Sequence, residues 1–324
     1  MKKCLSIMGF LCCISASGCY GQGVANFSIR VTDDDGLAVS NANVGVGYET
    51  RSGTKNFYGT TDTNGVYHYH GEFGREVGWF VRKAGYYDTS KIEMFFTGVA
   101  FGRLQPWGKQ HDVTLRQIVN PIAMYEGVMA AKVPELNKPF GFDLMKADMV
   151  TPFGKGEVAD LIVKMESSDA KVPPGYYEKY PQIKKRKNEK LTVSFSKPDD
   201  GIQIFYYPTR RSGGSVFRSP RYAPETGYAT NFVSICCEDE GNRHDDRGRE
   251  DQNYIFRVRT VRDEHGVITN AFYGKIYGPF NYNAPFATCT YYLNPTSLDR
   301  NLEFDRTKNL LQGVVDQRQL PSEP

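Results

Sequence analysis

Tryptophan, histidine and cysteine are scarce in this sequence. Its 324 residues include two tryptophans, five histidines and seven cysteines. None of the histidines begins a His-x-x-Glu pair, which excludes the zinc-binding pattern common among metallopeptidases. The Gly-x-Ser-x-Gly nucleophile elbow of many serine hydrolases is also missing. We therefore predict that the protein is not an enzyme and that it carries no cofactor.

An excess of charge of one sign and long apolar runs are lacking too. Lysine and arginine total 40 against 37 acidic residues, and the formal net charge of +3 falls to +1 when the two lysines of the predicted leader are removed. A nearly neutral chain offers no basic face for nucleic acid. Beyond the leader, no apolar run approaches the ~20 residues that a membrane-spanning helix needs. We expect neither a nucleic-acid partner nor a transmembrane span in the mature chain.

The first 21 residues have the pattern of a secretory signal peptide, with two lysines, an apolar run over residues 5–16 and small residues after it. The stretch "ASGC", which ends at Cys19, resembles a bacterial lipobox and would leave Cys19 as a lipidated N-terminus. Ala16 stands where that pattern usually has a larger aliphatic residue, so ordinary cleavage after Gly21 is the alternative. The predicted location is secreted or in the cell envelope (periplasm or outer membrane), with Cys19 as the candidate lipid anchor.

Three cysteines lie beyond the leader, at positions 236, 237 and 289. An oxidising compartment favours a disulfide from Cys289 to Cys236 or Cys237, with one thiol left over. In the alternative interpretation, all three are small buried apolar side chains.

Residues 24–117 alternate apolar and polar side chains in the manner of half-buried strands. Phe27, Ile29 and Val31 lie on one face of the first strand. The acidic stretch at residues 33–36 has the composition of a turn. Residues 62–65 have the pattern of a turn, with an aspartate in the first position and a glycine in the fourth. We expect this turn to join two strands as a hairpin.

Four motifs follow one another in residues 24–117: V-T-D-D-D-G-x-x-V-x-N-A-x-V, T-D-T-N-G-V-Y, V-R-K-A-G-Y-Y and a closing V-T-L. Together they resemble the carboxypeptidase regulatory-like domain, a small β-sandwich of transthyretin-like or prealbumin-like type. The third motif departs from the family in following a Gly-rich, charged hairpin instead of the commoner Pro-Gly. The resemblance implies a non-catalytic folding or adaptor module.

Two histidines, His68 and His70, stand in the stretch "TDTNGVYHYH". The resemblance places Tyr67 and Tyr69 at core positions, so the histidines point the other way. Zinc takes three or four protein ligands, and no third ligand is obvious nearby. We interpret His68 and His70 as surface residues and predict no metal site.

Residues 118–306 contain short apolar runs between prolines and glycines, including two strands around the turn at residues 263–266. This pattern predicts a larger all-β domain, a sandwich or a jelly-roll-like fold. About 300 mature residues fit two such domains, and residues 307–324 form a polar C-terminal tail. The segments "NPIAMY", "RVRTVRDEHG" and "YYLNPTSLDRNLEFD" loosely resemble secreted bacterial proteins of unknown function, which implies no activity.

These observations favour a non-catalytic binding or structural protein whose partner is an extracellular or cell-wall polysaccharide. That hypothesis predicts aromatic side chains clustered on one exposed face. A first alternative is a hydrolase with an unrecognised site in the second domain, which requires two close carboxylates or a carboxylate beside His244 or His265. A second alternative is a purely structural lipoprotein.

Overall fold

The structure, a computed structural model, describes residues 22–50, 52–74, 76–181, 186–208, 212–239, 242–247, 249 and 251–311. The predicted signal peptide, Cys19 and most of the predicted tail lie outside these residues. Nearly all regular structure is β-strand, and the described residues contain one helix, α1 (Tyr176–Lys179), so the predicted all-β class is confirmed. No helix in this part of the chain is long and apolar enough to cross a membrane.

The first sandwich is built from strands of residues 22–117. They are β1 (Gln22–Thr32), β2 (Asn43–Thr50), β3 (Gly53–Thr60), β4 (Val66–Gly74), β5 (Glu76–Arg82), β6 (Tyr86–Tyr87), β7 (Thr89–Met94), β8 (Gly98–Ala100), β9 (Arg103–Gln105), β10 (Lys109–Thr114) and β11 (Arg116–Gln117). Sheet 1 has the order β10-β1-β9-β8, with β4 also paired to β1, and sheet 2 contains β7-β5-β2-β3. A short pair, β6 with β11, lies beside them.

Apolar side chains of sheets 1 and 2 form the core of the first sandwich. Because successive side chains of a strand point to opposite faces, Phe27, Ile29 and Val31 of β1 all point inward, and each is at most 1% exposed. The ring of Phe27 lies 5.1 Å, centroid to centroid, from the rings of both Tyr69 and Phe95. The predicted core face of β1 is confirmed.

The second sandwich follows. The strands of this part of the chain, all of which except β18 belong to the second sandwich, are β12 (Ile122–Lys132), β13 (Pro139–Asp143), β14 (Asp148–Met149), β15 (Leu161–Asp169), β16 (Lys187–Ser194), β17 (Gly201–Tyr206), β18 (Ser212–Ser215), β19 (Asn231–Asp239), β20 (Asn242–Asp245), β21 (Gln252–Arg262), β22 (Ile268–Asn283), β23 (Phe286–Leu293) and β24 (Phe304–Asn309). Sheet 3 has the order β17-β21-β22-β23-β12-β24, and sheet 4 the order β14-β13-β15-β16-β19-β20. Side chains of both sheets share one core. Strand β18 pairs with β7 and so extends sheet 2.

Three Asp-x-x-Gly turns share one hydrogen-bond pattern, at residues 33–36, 62–65 and 263–266. In each, one aspartate oxygen accepts two later backbone N–H groups, and the glycine has φ between 76° and 79°. The last turn joins β21 to β22 as a hairpin. The hairpin predicted at residues 62–65 is wrong, because β3 belongs to sheet 2 and β4 to sheet 1. A Cβ at Gly65 would lie 2.5 Å from the Val31 carbonyl oxygen, so this turn packs on β1 and carries the chain between the sheets.

Two segments of the second domain differ from expectation. The acidic stretch at residues 236–251 has the composition of a solvated loop, yet it includes strands β19 and β20, which pair Cys237 with His244. Arg243 and Arg247 both form ion pairs with Asp245 of β20. Residues 307–309, assigned to the polar tail, belong to β24.

The two sandwiches meet at Glu303, whose side chain is fully buried. Its carboxylate accepts hydrogen bonds from the backbone N–H groups of Val119 (2.8 Å) and Asn120 (2.9 Å). Tyr87 of the first sandwich donates at 2.9 Å and Arg221 of the second at 2.8 Å. Burial alone would raise the pKa of Glu303, but these hydrogen bonds outweigh it and hold the pKa below its ordinary value. The junction is therefore built around a charged carboxylate.

Candidate functional site

Exposed aromatic side chains are spread over both domains. Large aromatic residues with more than a third of their surface exposed are Tyr58, Phe101, Trp107, Phe153, Tyr206, Tyr222 and Phe286. They lie on strands or turns of several different sheets. Among the described residues these side chains are divided between the two sandwiches, so the single clustered face that the polysaccharide hypothesis predicts is not seen. This counts against that hypothesis in its original form, and only smaller surfaces remain as candidate sites.

The outer face of sheet 2 carries such a smaller surface. The register places Tyr58 of β3, Gly45 of β2 and Phe80 of β5 in one row across the sheet. A Cβ at Gly45 would collide with the Phe80 ring, so the ring occupies the space that a side chain at position 45 would fill. The ring centroids of Phe80 and Tyr58 are 6.3 Å apart. The Arg82 guanidinium lies 4.5 Å from the Phe80 centroid and 2.7 Å from the Asp88 carboxylate. Tyr58, 62% exposed, thus has a second ring as neighbour, and that ring carries a cation.

The next row across sheet 2 consists of Asn56 of β3, Gly47 of β2 and Gly78 of β5. Two of its three positions are therefore glycine. The Asn56 amide lies over Gly47, where a Cβ would meet it. At Gly78 the nearest side chain that a Cβ would meet is Ile92, at 3.8 Å. Glycine within a strand often marks a place where another group approaches the backbone. We call Tyr58, Phe80, Arg82, Asn56 and Gly78 the glycine-floored patch.

The glycine-floored patch combines groups that suit a hydroxyl-rich ligand. The rings of Tyr58 and Phe80 offer flat apolar surface. Asn56 supplies an amide donor and acceptor, and Arg82 supplies guanidinium donors. Strand β3 is the last strand of sheet 2, so a long ligand can extend past its edge.

The two histidines singled out in the sequence point outward. His68 and His70 are exposed while Tyr67 and Tyr69 are each 9% exposed, which confirms the predicted alternation. The His70 ring meets the Trp107 ring edge-on at 5.8 Å. Among the residues that the structure describes, no group of three or more His, Cys, Asp or Glu side chains could hold a metal ion.

The three cysteines are free thiols in the structure, so the disulfide expected between Cys289 and Cys236 or Cys237 is not formed in it. Cys289 lies in the apolar core between sheets 3 and 4, and burial raises the pKa of its thiol. Cys236 lies on β19 beside Asp245 and Arg247, and burial raises its thiol pKa as well. The two thiols therefore lie in different environments, one apolar and one polar.

A pair of carboxylates, as the hydrolase alternative requires, does occur in the second domain. Arg259 donates to Asp143 at 2.9 Å and to both oxygens of Asp160 at 2.8 Å. Burial raises the pKa of Asp160 although Arg259 opposes the shift. Burial also acts to raise the pKa of Asp143. There, backbone hydrogen bonds and the charge of Arg259 outweigh burial, and the pKa lies below its ordinary value. Because these side chains are only 2% and 0% exposed, a substrate cannot reach them, and we interpret the group as structural.

The loop histidines of that alternative each have a carboxylate nearby. His244 Nε2 lies 3.9 Å from Asp246, and His265 Nε2 lies 3.6 Å from Glu264. The histidine side chains are 68% and 77% exposed. Solvent screens such pairs, and neither is enclosed in the way a catalytic pair needs.

Sequence reasoning missed a buried lysine in sheet 3. Lys275 is fully buried, and its Nζ donates to the Leu302 carbonyl at 2.7 Å and to Tyr277 Oη at 3.0 Å. The Nζ also lies 4.9 Å from the Phe217 ring and 5.1 Å from the Tyr292 ring. The apolar and aromatic neighbours of Lys275 along β22 are the signal that could have indicated a buried position.

No family model matches this chain, and no curated protein sequence matches it. Among solved structures, it is similar to 3-chlorocatechol 1,2-dioxygenase from Rhodococcus opacus 1CP, with 11% identity, a TM-score of 0.24, and coverage of 31% of this chain and 61% of that one. It is also similar to catechol 1,2-dioxygenase from Acinetobacter sp. ADP1, with 13% identity, a TM-score of 0.22, and coverage of 30% of this chain and 53% of that one. A third similar structure is the shaft pilin spaA from Lactobacillus rhamnosus GG, with 10% identity, a TM-score of 0.21, and coverage of 74% of this chain and 89% of that one. The chain spans less than two thirds of either dioxygenase, and at these TM-scores the likenesses carry no argument about function.

Proposed function

We propose that this is a secreted or envelope-anchored protein that acts by binding, with an extracellular or cell-wall polysaccharide as its partner. The glycine-floored patch is the proposed binding site. The first sandwich serves as an adaptor module of carboxypeptidase regulatory-like type, as the four motifs in residues 24–117 suggest. In the envelope-anchored form, a lipid on Cys19 ties the chain to a membrane.

The observation that carries the proposal is the exposed Tyr58 ring, which lies against Phe80 beside the open backbone at Gly78. A sugar ring has a flat face of C–H groups and a rim of hydroxyls. An aromatic face covers the former, while the Asn56 amide and the Arg82 guanidinium bind the latter. The patch lies at the β3 edge of sheet 2, so one sugar unit of a polymer can stack on Tyr58 while the rest of the chain continues beyond the edge.

Co-sedimentation of the chain from residue 22 to residue 324 with peptidoglycan and a panel of insoluble polysaccharides tests the proposal. We expect saturable binding to one polymer, weakened about tenfold in Tyr58→Ala, because burying one large ring contributes about 1.5 kcal/mol. Tyr58→Phe keeps the ring and should keep most of the affinity.

Tyr222→Ala is the matched control, since Tyr222 is 53% exposed and lies in the second domain. It should leave binding unchanged. If no polymer is bound, or if the two alanine variants lose equal affinity, the glycine-floored patch is not a polysaccharide site.

A second candidate function, a structural lipoprotein, is favoured by the Glu303 junction, which fixes the two sandwiches against each other through hydrogen bonds from both sides. It predicts that the chain is retained by a membrane and binds no polysaccharide. Cell fractionation of Cys19→Ala is the test. Release of this variant into the soluble fraction, with no polymer bound by the parent chain, would favour the structural role.

A further inference from the structure

We propose that the hairpin of β8 and β9 is a membrane-contact site whose tip, Phe101, inserts among lipids at the surface of the bilayer that anchors the chain. The proposal rests on the envelope-anchored location proposed above. The hairpin belongs to sheet 1 and shares no residue with the glycine-floored patch on sheet 2.

Phe101 is an unusual residue for its position. Its side chain is 104% exposed, and it has φ 49° in a two-residue turn with Gly102 at φ 73°. Turns with positive φ at both central residues usually take Asn or Gly, because a bulky side chain there is strained. Water also disfavours a fully exposed phenyl ring. Phe101 is therefore unfavourable both for the backbone of the turn and for its exposure to water. Moving the ring from water into lipid removes the second of these costs.

The residues that flank the tip suit a membrane surface. Val99 is 46% exposed and Trp107 is 36% exposed. The Arg103 guanidinium lies 4.9 Å from the Trp107 ring. Tryptophan is enriched where a bilayer meets water, and arginine attracts anionic headgroups while its stem stays in apolar surroundings. The hairpin thus offers an apolar tip, an aromatic flank and a cation.

The chain end places this hairpin next to the predicted anchor. Val24 of β1 pairs with Arg103, and its N–H donates to the Gly102 carbonyl at 2.9 Å. Cys19 precedes Gln22 by three residues, which span at most about 11 Å. A lipid on Cys19 would therefore hold the tip of the hairpin at the bilayer. The surface that the hairpin contacts is therefore a lipid bilayer.

Tryptophan fluorescence gives a direct test, because the chain has two tryptophans and only one is accessible. Trp79 is 3% exposed in the core of the first sandwich, against 36% for Trp107. The chain from residue 22 to residue 324, without a lipid, is titrated with vesicles of phosphatidylethanolamine and phosphatidylglycerol in equal parts. We expect a blue shift of the emission and quenching by brominated lipid, both absent in Trp107→Phe. Phe101→Ser should weaken vesicle binding about tenfold or more.

Phe286→Ser is the matched control, since Phe286 is 57% exposed on β23 of the second sandwich; it should bind vesicles like the parent chain. The proposal is wrong if vesicles cause neither shift nor quenching, or if both serine variants lose binding equally. It is also wrong if Phe101→Ser abolishes self-association in sedimentation velocity while vesicles are not bound, since the tip would then dock on a second copy. The assay contains neither glycan nor lipidated cysteine, so its failure leaves the Tyr58 and Cys19 experiments to be judged separately.

Discussion

The two sandwiches have different interiors. In the first, the buried side chains are almost all apolar or aromatic, and Asp33, which lies in a turn, is the one buried carboxylate among its described residues. The second holds many buried ionisable side chains: Glu126, Asp143, Asp160, Glu189, Asp200, Arg257, Lys275 and Glu303. One fold class thus occurs twice in the same chain with two kinds of core.

The difference shows how a large β-sandwich can be specified. An unpaired buried charge is strongly unfavourable, whereas a paired one contributes little net stability but tolerates few other arrangements. In the second sandwich each charge finds defined partners, as Lys275 does in Tyr277 Oη and the Leu302 carbonyl. We infer that buried charges fix the arrangement of its sheets, whereas ring packing around Phe27 does so in the first.

Removing Arg259 should have the largest effect on this comparison. Arg259→Ala leaves Asp143 and Asp160 without their cation at sites that are 2% and 0% exposed. We expect the free energy of unfolding to fall by about 3–5 kcal/mol, as measured by urea denaturation followed by circular dichroism. Arg262→Ala is the control, because Arg262 pairs with Asp199 where both side chains are more than a third exposed; it should change stability by less than about 1 kcal/mol. Equal losses in the two variants would show that buried charges have no special role in this core.

Replacing Glu303 should separate the two sandwiches with a smaller loss of stability. Glu303→Gln removes the negative charge that accepts hydrogen bonds from Tyr87 and Arg221. We expect the free energy of unfolding to fall by about 1.5–3 kcal/mol. Both tryptophans belong to the first sandwich, so their fluorescence follows that domain while circular dichroism follows the whole chain. We expect the two signals to coincide in the parent chain and to separate in Glu303→Gln. Tyr87→Phe loses one hydrogen bond and should cost about 1 kcal/mol; coincident transitions in Glu303→Gln would contradict the coupling.

Local structure was predictable because it depends on neighbouring residues. Alternation separated Tyr67 and Tyr69 from His68 and His70, the family resemblance indicated that the tyrosines point inward, and Asp-x-x-Gly spacing located the turns. Sheet membership was not predictable in this way. The turns at residues 62–65 and 263–266 have the same hydrogen bonds, yet one crosses between sheets and the other closes a hairpin.

The buried charges and the glycine-floored patch depend on contacts that are remote in sequence. Arg259 lies 99 residues from Asp160 and 116 from Asp143, and a charged residue in a strand gives no local sign that its partner is buried beside it. The patch needs Tyr58 of β3 and both Gly78 and Phe80 of β5, two strands that are linked through β2. The sequence could therefore indicate exposed tyrosines but not which of them has a second ring as neighbour.

The smallest expected effect is a pH dependence of the second sandwich. Burial raises the pKa of Glu126 to about 7, although a hydrogen bond with Tyr292 and the charges of Arg306 and Lys275 act in the opposite direction. The folded state therefore keeps a proton that the unfolded chain releases above about pH 4.5. This group stabilises the fold below that pH, and its contribution is lost as the pH rises to about 7. We expect Glu126→Gln to abolish this loss, which is about 1–2 kcal/mol after allowance for screening.

The measurement is the free energy of unfolding of Glu126→Gln relative to the parent chain between pH 5 and pH 8, with Glu264→Gln, 87% exposed at that side chain, as the control. The variant must be compared with the parent at each pH, because His111 of the first sandwich changes the stability with pH in the opposite direction to Glu126. Burial lowers the pKa of His111, with Glu93 opposing the shift, so its contribution is gained as the pH rises through the unfolded value of about 6.5. Because the two sandwiches are expected to unfold together in the parent chain, both groups contribute to one free energy of unfolding. Subtracting the parent value cancels the His111 contribution, so the stability of Glu126→Gln relative to the parent should grow with pH. A flat difference would mean that Glu126 is already ionised in the folded protein, and that its charge, like that of Glu303, is accommodated by partners in the core.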